Sequence, residues 1–454
     1  MDKNIEKYCV DNNSSVREAL KKIDKNHEGF ILVINEKKIL IGLATDGDIR
    51  RYLLKGGKIT DKVSACSKKE FRSVNENITH EEVYKMLDDN IKMLPVLDKR
   101  KVLIDVITKK NIPQRKQRLF YSRGKAPVRI SFSGGGSDTS TYFNKNNGAV
   151  INSTVCLYCH STLHKRQDKK IIIDSLDLNL VGTFDDLENM NLNPGKFKLV
   201  NALLNVIQLN FGIELTIKSD FPTSSGLGGS SAVCASILGC FNEFRNDKWD
   251  KYEIAEIAYQ AERLYLGIEG GWQDQYATVF GGFNLMEFNS KNNLVSPLRL
   301  PDDKKLELEQ SLVLCYTNSD HGNYDIHKNQ KENTSNKVIE QNIAKNVKLT
   351  YEIRNYLLKG DLNQIGNTLN KSWELKKTYS EYISNSSLNL LYNEAISNGA
   401  TGGKLLGAGG GGFFLFYVTS KDKNKFLKWL QKEDMEYFNV NFESKGMISW
   451  SVRI

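Results

Sequence analysis

The sequence predicts a large α+β domain preceded by a smaller α/β module. Three observations predict it: an internal repeat within the first 115 residues, a change of character near residue 125, and three glycine-rich blocks set among strand and helix patterns beyond it. At 454 residues the chain exceeds one ordinary domain, and its 40% hydrophobic content suffices for more than one core.

The repeat comes first along the chain. One copy runs Phe30-Ile31-Leu32-Val33-Ile34, a turn, then Ile39-Leu40-Ile41-Gly42-Leu43-Ala44-Thr45. The other runs Met93-Leu94-Pro95-Val96-Leu97, then Val102-Leu103-Ile104-Asp105-Val106-Ile107-Thr108. Each reads as strand, turn, strand, Thr and helix start, and each follows a helical pattern, at 15–20 and 79–87. Copies of this size pack as a pseudo-symmetric pair around one shared core.

These copies resemble a tandem pair of CBS motifs, regulatory modules that bind adenine nucleotides or related ligands between their halves. The resemblance implies a module over 1–115 in which Thr45 and Asp48 hold the ribose hydroxyls of a nucleotide or nucleotide-sugar effector. The second copy keeps Thr108 but has Asn111 instead of the acid, which weakens or removes a second site. A structural pair without a ligand, or one that joins two chains as a homodimer, is the other reading of the same pattern.

Charge and cysteine content narrow the function classes. The net charge of +9 is spread along the chain and interleaved with Asp and Glu, which suits small anionic ligands better than nucleic acid. The densest basic stretch, Arg115-Lys116-Gln117-Arg118 with Arg123 and Lys125, reads as a solvated linker, placed at 116–125. No stretch approaches the roughly 20 apolar residues of a membrane span, and the first residues lack an apolar signal segment, so a cytoplasmic protein without a membrane partner is expected. Seven scattered cysteines fit reduced thiols. Cys156-Leu157-Tyr158-Cys159-His160 has the spacing of a c-type haem attachment, but its β-branched surroundings read as a buried strand.

The middle glycine block carries most of the chemistry. Pro222-Thr223-Ser224-Ser225-Gly226-Leu227-Gly228-Gly229-Ser230-Ser231-Ala232 follows a strand pattern at 213–217 and precedes an apolar helix pattern at 233–238. Glycines let a backbone wrap phosphates, and a helix start offers unpaired N–H groups and a positive dipole end. No Gly-Lys-Ser/Thr closes it, so it is not a Walker A loop. The first block, Arg129-Ile130-Ser131-Phe132-Ser133-Gly134-Gly135-Gly136-Ser137-Asp138, ends a strand in a turn that carries an acid. The third, Lys404-Leu405-Leu406-Gly407-Ala408-Gly409-Gly410-Gly411-Gly412-Phe413, leads into a strand.

In this order the blocks resemble the three signature motifs of the GHMP kinases, and the resemblance covers most of 125–454. It implies a two-lobed kinase fold over 126–454, an ATP-binding lobe to about 300 and a second lobe beyond, with ATP and Mg²⁺ as cofactors. It further implies that Gly226, Leu227, Gly228, Gly229, Ser230 and Ser231 cradle the ATP phosphates. Ser230 and Glu262 would hold Mg²⁺, Asp274 would align or accept the acceptor hydroxyl proton, and Arg129 would stabilise it and the transferred charge. The substrate, a sugar or sugar phosphate, would lie on Asp138, Gly135, Gly136, Lys404, Gly409 and Gly410.

The first block also resembles the D-glycero-D-manno-heptose 7-phosphate kinases, as do Gln273-Asp274-Gln275-Tyr276 and Gly281-Gly282-Phe283-Asn284. That implies phosphorylation of an anomeric hydroxyl on the way to nucleotide-activated heptose for surface polysaccharide. Galactose is disfavoured because the Glu and His of the galactokinase motif are absent beside Asp138. Gly271-Trp272-Gln273-Asp274-Gln275 is also similar to fucokinases, and the segment 318–327 lacks an arginine for a second phosphate, with Lys328 and Lys404 as substitutes. Fucose or another free sugar therefore stays open, as does an inactive kinase fold that senses a ligand. His321 and His327 have no metal-type spacing.

Overall fold

The computed structural model describes residues 3–88, 91–112, 119–222, 225–318, 326–333 and 336–453. The chain divides into two compact units, Met1–Gln117 and Arg118–Ile454.

In the first unit, β1 (Cys9–Asp11), α1 (Val16–Asn26), β2 (Phe30–Ile34), β3 (Leu40–Thr45) and α2 (Asp46–Leu54) make one half. The other half contains β4 (Val74–Asn75), α3 (His80–Met86), β5 (Met93–Leu97) and β6 (Leu103–Thr108). Both halves pair a parallel and an antiparallel neighbour on a central strand, β1-β2-β3 and β4-β5-β6. The same register shift recurs between Val33 and Ile34 and between Val96 and Leu97. Reciprocal bonds join the halves: Leu40 N donates to Lys101 O and Leu103 N to Lys38 O, each at 3.2 Å. Phe30, Leu32 and Leu40 share one apolar cluster with Met93, Leu103 and Val106. The repeat thus buries what neither half could bury alone.

Thr45 and Asp48 turn out to close a capping box at the start of α2. Asp48 Oδ2 accepts from Thr45 N at 3.1 Å and Thr45 Oγ1 at 2.6 Å, while Asp48 N donates to Thr45 Oγ1 at 3.1 Å. Its other oxygen takes Arg51 at 2.5 Å and Lys68 at 3.1 Å. The carboxylate is satisfied within the chain, so the cap accounts for this pair without a ribose. Thr108 and Asn111 repeat the turn, Thr108 Oγ1 donating to Asn111 Oδ1 at 2.6 Å; the residues that would continue it, and 116–118 of the expected linker, lie outside the described residues, while the rest of that segment, 119–125, is strand rather than solvated linker.

Burial pushes the Asp48 carboxyl up, but bonds from Thr45, Lys68 and Arg51 outweigh it and hold the group at about 2, below its ordinary 3.8. A depressed carboxyl contributes stability that is complete above the unfolded value and is lost as pH falls through the folded one. In the full chain, the stability gap between wild type and Asp48→Asn should therefore close as pH falls from 3.8 to about 2, by thermal melts across that range.

The strands of the second unit are β7 (Leu119–Ser133), β8 (Gly148–Lys165), β9 (Ile171–Ser175), β10 (Leu180–Phe184), β11 (Ile213–Ser219), β12 (Phe283–Phe288), β13 (Asn293–Pro297), β14 (Leu312–Tyr316), β15 (Ala400–Leu405), β16 (Phe413–Val418), β17 (Tyr437–Asn439) and β18 (Ile448–Arg453). One sheet has the order β10-β9-β11-β8-β12-β13, with β7 on β8 and β18 on β7; the other runs β15-β16-β14-β17. Helix α4 (Gly229–Asn242) lies on β7 and β8, followed by α5 (Lys251–Tyr259), α6 (Gln273–Phe280), α7 (Lys337–Lys359) and α8 (Asn363–Lys377). Gly124 is what lets α4 approach β7, since a Cβ there would sit 1.9 Å from Ser236 O.

Cys156 is exposed and Cys159 fully buried on β8, so the haem-like spacing is strand sequence whose two sulfurs have different environments. Among the described residues no helix is long and apolar enough to cross a membrane.

Candidate active site

The phosphate-binding candidate forms where β11 gives way to α4. Gly226 (φ 73°) and Gly228 (φ 76°) adopt left-handed conformations that turn the chain into the helix. Ala232 N is bonded to Gly228 O at 3.1 Å, so Gly229, Ser230 and Ser231 supply the first-turn N–H groups that have no carbonyl one turn earlier. Thr223 and Ser224 lie outside the described residues.

The third glycine block braces this turn. Phe413 N donates to Ser225 O at 3.1 Å. A Cβ on Gly407 would stand 2.6 Å from Gly226 Cα, and one on Gly412 2.6 Å from Ser225 O. Lys376 fastens the block from α8, its Nζ donating to Leu405 O at 2.9 Å and Gly407 O at 2.6 Å. The first block is held from α7, where Asn346 Oδ1 accepts from Ser133 Oγ at 2.8 Å.

Glu262 is fully buried behind the phosphate turn. Its carboxylate accepts Ser230 Oγ at 2.5 Å, Ser231 Oγ at 2.7 Å and Gln275 Nε2 at 2.7 Å. It sits in a π-helical turn, Gln260–Tyr265, that continues α5. The widened turn directs Glu262 inward.

Beside it, Arg129 is buried and grips Asp274, Nε to Oδ1 at 2.8 Å and Nη2 to Oδ1 at 2.7 Å, while Nη1 donates to Gly226 O at 2.7 Å. The same guanidinium thus fixes the acid against the phosphate turn. Asp138 accepts from Gly136 N at 3.1 Å and Gln273 N at 3.2 Å. Burial, then the charge of Asp274, raises its carboxyl above the ordinary range despite those bonds. Lys404 is buried too, and burial with the nearby Arg129 pushes it down to about 7 against the pull of Asp138. Lys376 is held well below the usual lysine range by burial, with Lys404 and Arg129 adding.

Arg129, Gly135, Gly136, Asp138, Gly226, Gly228, Gly229, Ser230, Asp274 and Lys404 all line one cleft of about 600 Å³. Others expected there do not. Leu227 is fully buried, its carbonyl taken by Arg129 N at 3.0 Å, so it anchors the loop. Ser231 is buried with its hydroxyl turned to Glu262. Gly409 and Gly410 pack on Ile383: Gly410 N donates to Ile383 O at 2.9 Å, and a Cβ on Gly409 would stand 2.8 Å from Ile383 Cα. Trp272 is off the cleft, stacked on Tyr259 at 3.6 Å, and so is a packing residue. His321 lies outside the described residues, as do the side chains of His327 and Lys328.

Sequence reasoning missed Lys376, Ser131, Gln273 and Arg263, which line the same cleft. Lys376 had a signal: it falls on the buried stripe of α8 with Ile365, Leu369, Ser372 and Trp373. Ser131 Oγ and Gln273 Oε1 are buried without a protein hydrogen-bond partner, as polar atoms that meet a polar ligand would be. The cleft also has an apolar side, with Phe197, Val200, Ile217, Phe221 and Val233.

A model of the GHMP kinases N terminal domain matches residues 197–282, the GHMP kinases C terminal model matches 353–429, and the CBS domain model matches 1–55. The chain is 38% identical over 336 residues to the D-glycero-alpha-D-manno-heptose 7-phosphate kinase of Campylobacter jejuni, a match covering 73% of this chain and 99% of that one. It is 28% identical over 331 residues to the L-fucokinase/L-fucose-1-P guanylyltransferase of Bacteroides fragilis, covering 66% of this chain and 34% of that protein. A crystal structure of a D-glycero-D-manno-heptose 1-phosphate kinase from Bacteroides thetaiotaomicron superposes with a TM-score of 0.62 at 28% identity, over 73% of this chain and 99% of that one.

Proposed function

The chain belongs to the GHMP kinases as an ATP-dependent sugar kinase, and on that premise we propose that it phosphorylates the anomeric hydroxyl of D-glycero-D-manno-heptose 7-phosphate. The observation that carries the reading is one cleft lined by the Arg129–Asp274 pair, the acid Asp138, and Ser131 and Gln273, whose Oγ and Oε1 are unpaired. The choice of heptose is supported by the 38% identity to the Campylobacter jejuni enzyme.

In this reading the base of ATP lies at the apolar side and its phosphates reach the tip of α4, whose N–H groups and dipole favour negative charge. Ser230 and Glu262 are hard oxygen donors at that tip, and a buried carboxylate held only by neutral donors fits Mg²⁺, which would supply charge neutralisation for the terminal phosphates. Asp138, Ser131 and Gln273 orient the sugar. Asp274, fixed by Arg129, aligns the attacking hydroxyl and takes its proton, and Arg129 with Lys404 offsets the charge that develops on the transferred group. The front unit would serve control, its ligand a nucleotide or nucleotide-sugar, a role that rests on the matched CBS domain.

ADP release with a panel of acceptors tests the proposal. Heptose 7-phosphate should exceed L-fucose and galactose in kcat/KM by about 10²-fold or more. Preference for L-fucose would replace this reading with that of a fucokinase, and turnover with none of them would leave a ligand-sensing kinase fold.

A further inference from the structure

We propose that Arg263 receives the distal phosphate of a sugar phosphate acceptor and thereby selects phosphorylated over free sugars, an inference that rests on the sugar-kinase reading of this cleft. Arg263 follows Glu262 in the π-helical turn and lines the cleft. Its Nη1 has only long contacts, to Ile268 O at 3.4 Å and Glu269 O at 3.3 Å, and its Nε is buried with no hydrogen-bond partner. Among the described residues no carboxylate lies within 4.0 Å of it as an ion-pair partner.

Two other cations of the cleft are already bonded within the chain. Arg129 is held by Asp274 and Gly226 O, and Lys376 by two carbonyls of the third block. Lys404 is buried where it lines the cleft. Lys196 lines the cleft next in sequence to the apolar Phe197. Arg263 keeps most of a planar five-donor fork, the geometry that suits a phosphate bidentately.

Its position relative to the sugar comes from two glycines. A Cβ on Gly270 would stand 2.6 Å from Arg263 Cζ, and one on Gly271 1.9 Å from Asp138 Oδ2. The guanidinium and the acid therefore crowd adjacent residues of one bare dipeptide. A sugar whose hydroxyl rests on Asp138 thus has Arg263 as a neighbour in the same cleft. The segment 318–327, where a phosphate-gripping arginine is missing, does not need one if this residue fills the role.

The test compares kcat/KM for heptose 7-phosphate with that for unphosphorylated heptose in the full chain. Arg263→Gln should lower this discrimination ratio by about 10- to 100-fold, chiefly through KM for the phosphorylated sugar. Arg263→Lys, which keeps charge but not the fork, should fall between, and serves alone if the glutamine variant does not fold. A ratio left unchanged by Arg263→Gln, when the wild type does use the sugar phosphate, would overturn the assignment of Arg263 only. A wild type that turns over no sugar phosphate would overturn both this assignment and the heptose 7-phosphate reading.

Discussion

Replacing Asp274 by Asn is expected to lower kcat by about 10²–10⁴-fold, the usual range for loss of a positioned proton acceptor. The side chain keeps its shape, and its carbonyl oxygen can still receive Arg129 Nε and Nη2, which now reach Oδ1 at 2.8 and 2.7 Å. Arg129 Nη1 also stays tied to Gly226 O. KM for ATP should therefore change little, because the phosphate turn is not disturbed. What disappears is the negative charge that draws the acceptor's proton. Steady-state kinetics with saturating ATP and sugar would check it. A variant that kept its full kcat would remove Asp274 from the reaction.

Glu262→Gln should cost activity by about 10²-fold or more and stability by about 1–3 kcal/mol. Three donors converge on the carboxylate: Ser230 Oγ, Ser231 Oγ and Gln275 Nε2. A glutamine amide offers one acceptor oxygen and turns its NH₂ group toward at least one of those donors, in a place with no exposure to water. The two effects separate by experiment. Chemical denaturation reports the orphaned donor. The dependence of rate on magnesium concentration reports the lost charge, and should shift to higher concentration. A variant that lost stability but kept its magnesium dependence would reduce Glu262 to a support for the turn.

Much of this site could be read along the chain because its parts are local. A glycine turn feeding a helix start, or a strand ending in Gly-Gly-Gly-Ser-Asp, declares itself within a dozen residues. The repeat of the first unit is legible for the same reason, through alternation of apolar residues and a Thr at the end of each second strand. What stayed hidden is set through space. Lys376 is remote in sequence from Leu405 and Gly407, which it fastens, and only its place on the buried stripe of α8 marks it. The π-helical turn at Gln260–Tyr265 leaves no mark in the apolar pattern, so the inward turn of Glu262 was not evident. Thr45 and Asp48 show the reverse difficulty. Their spacing serves a ribose and a capping box equally, and only the bonds from Arg51 and Lys68 reveal that the acid is already engaged.

The bracing of Gly226 by Gly407 has a consequence for synthesis. A polypeptide that displays the whole of 222–232 still has no rigid seat for a triphosphate until the third glycine block, nearly two hundred positions later, is in place against it. The phosphate turn is thereby completed from a distance, and chains that lack residues 407–413 should bind nucleotide poorly.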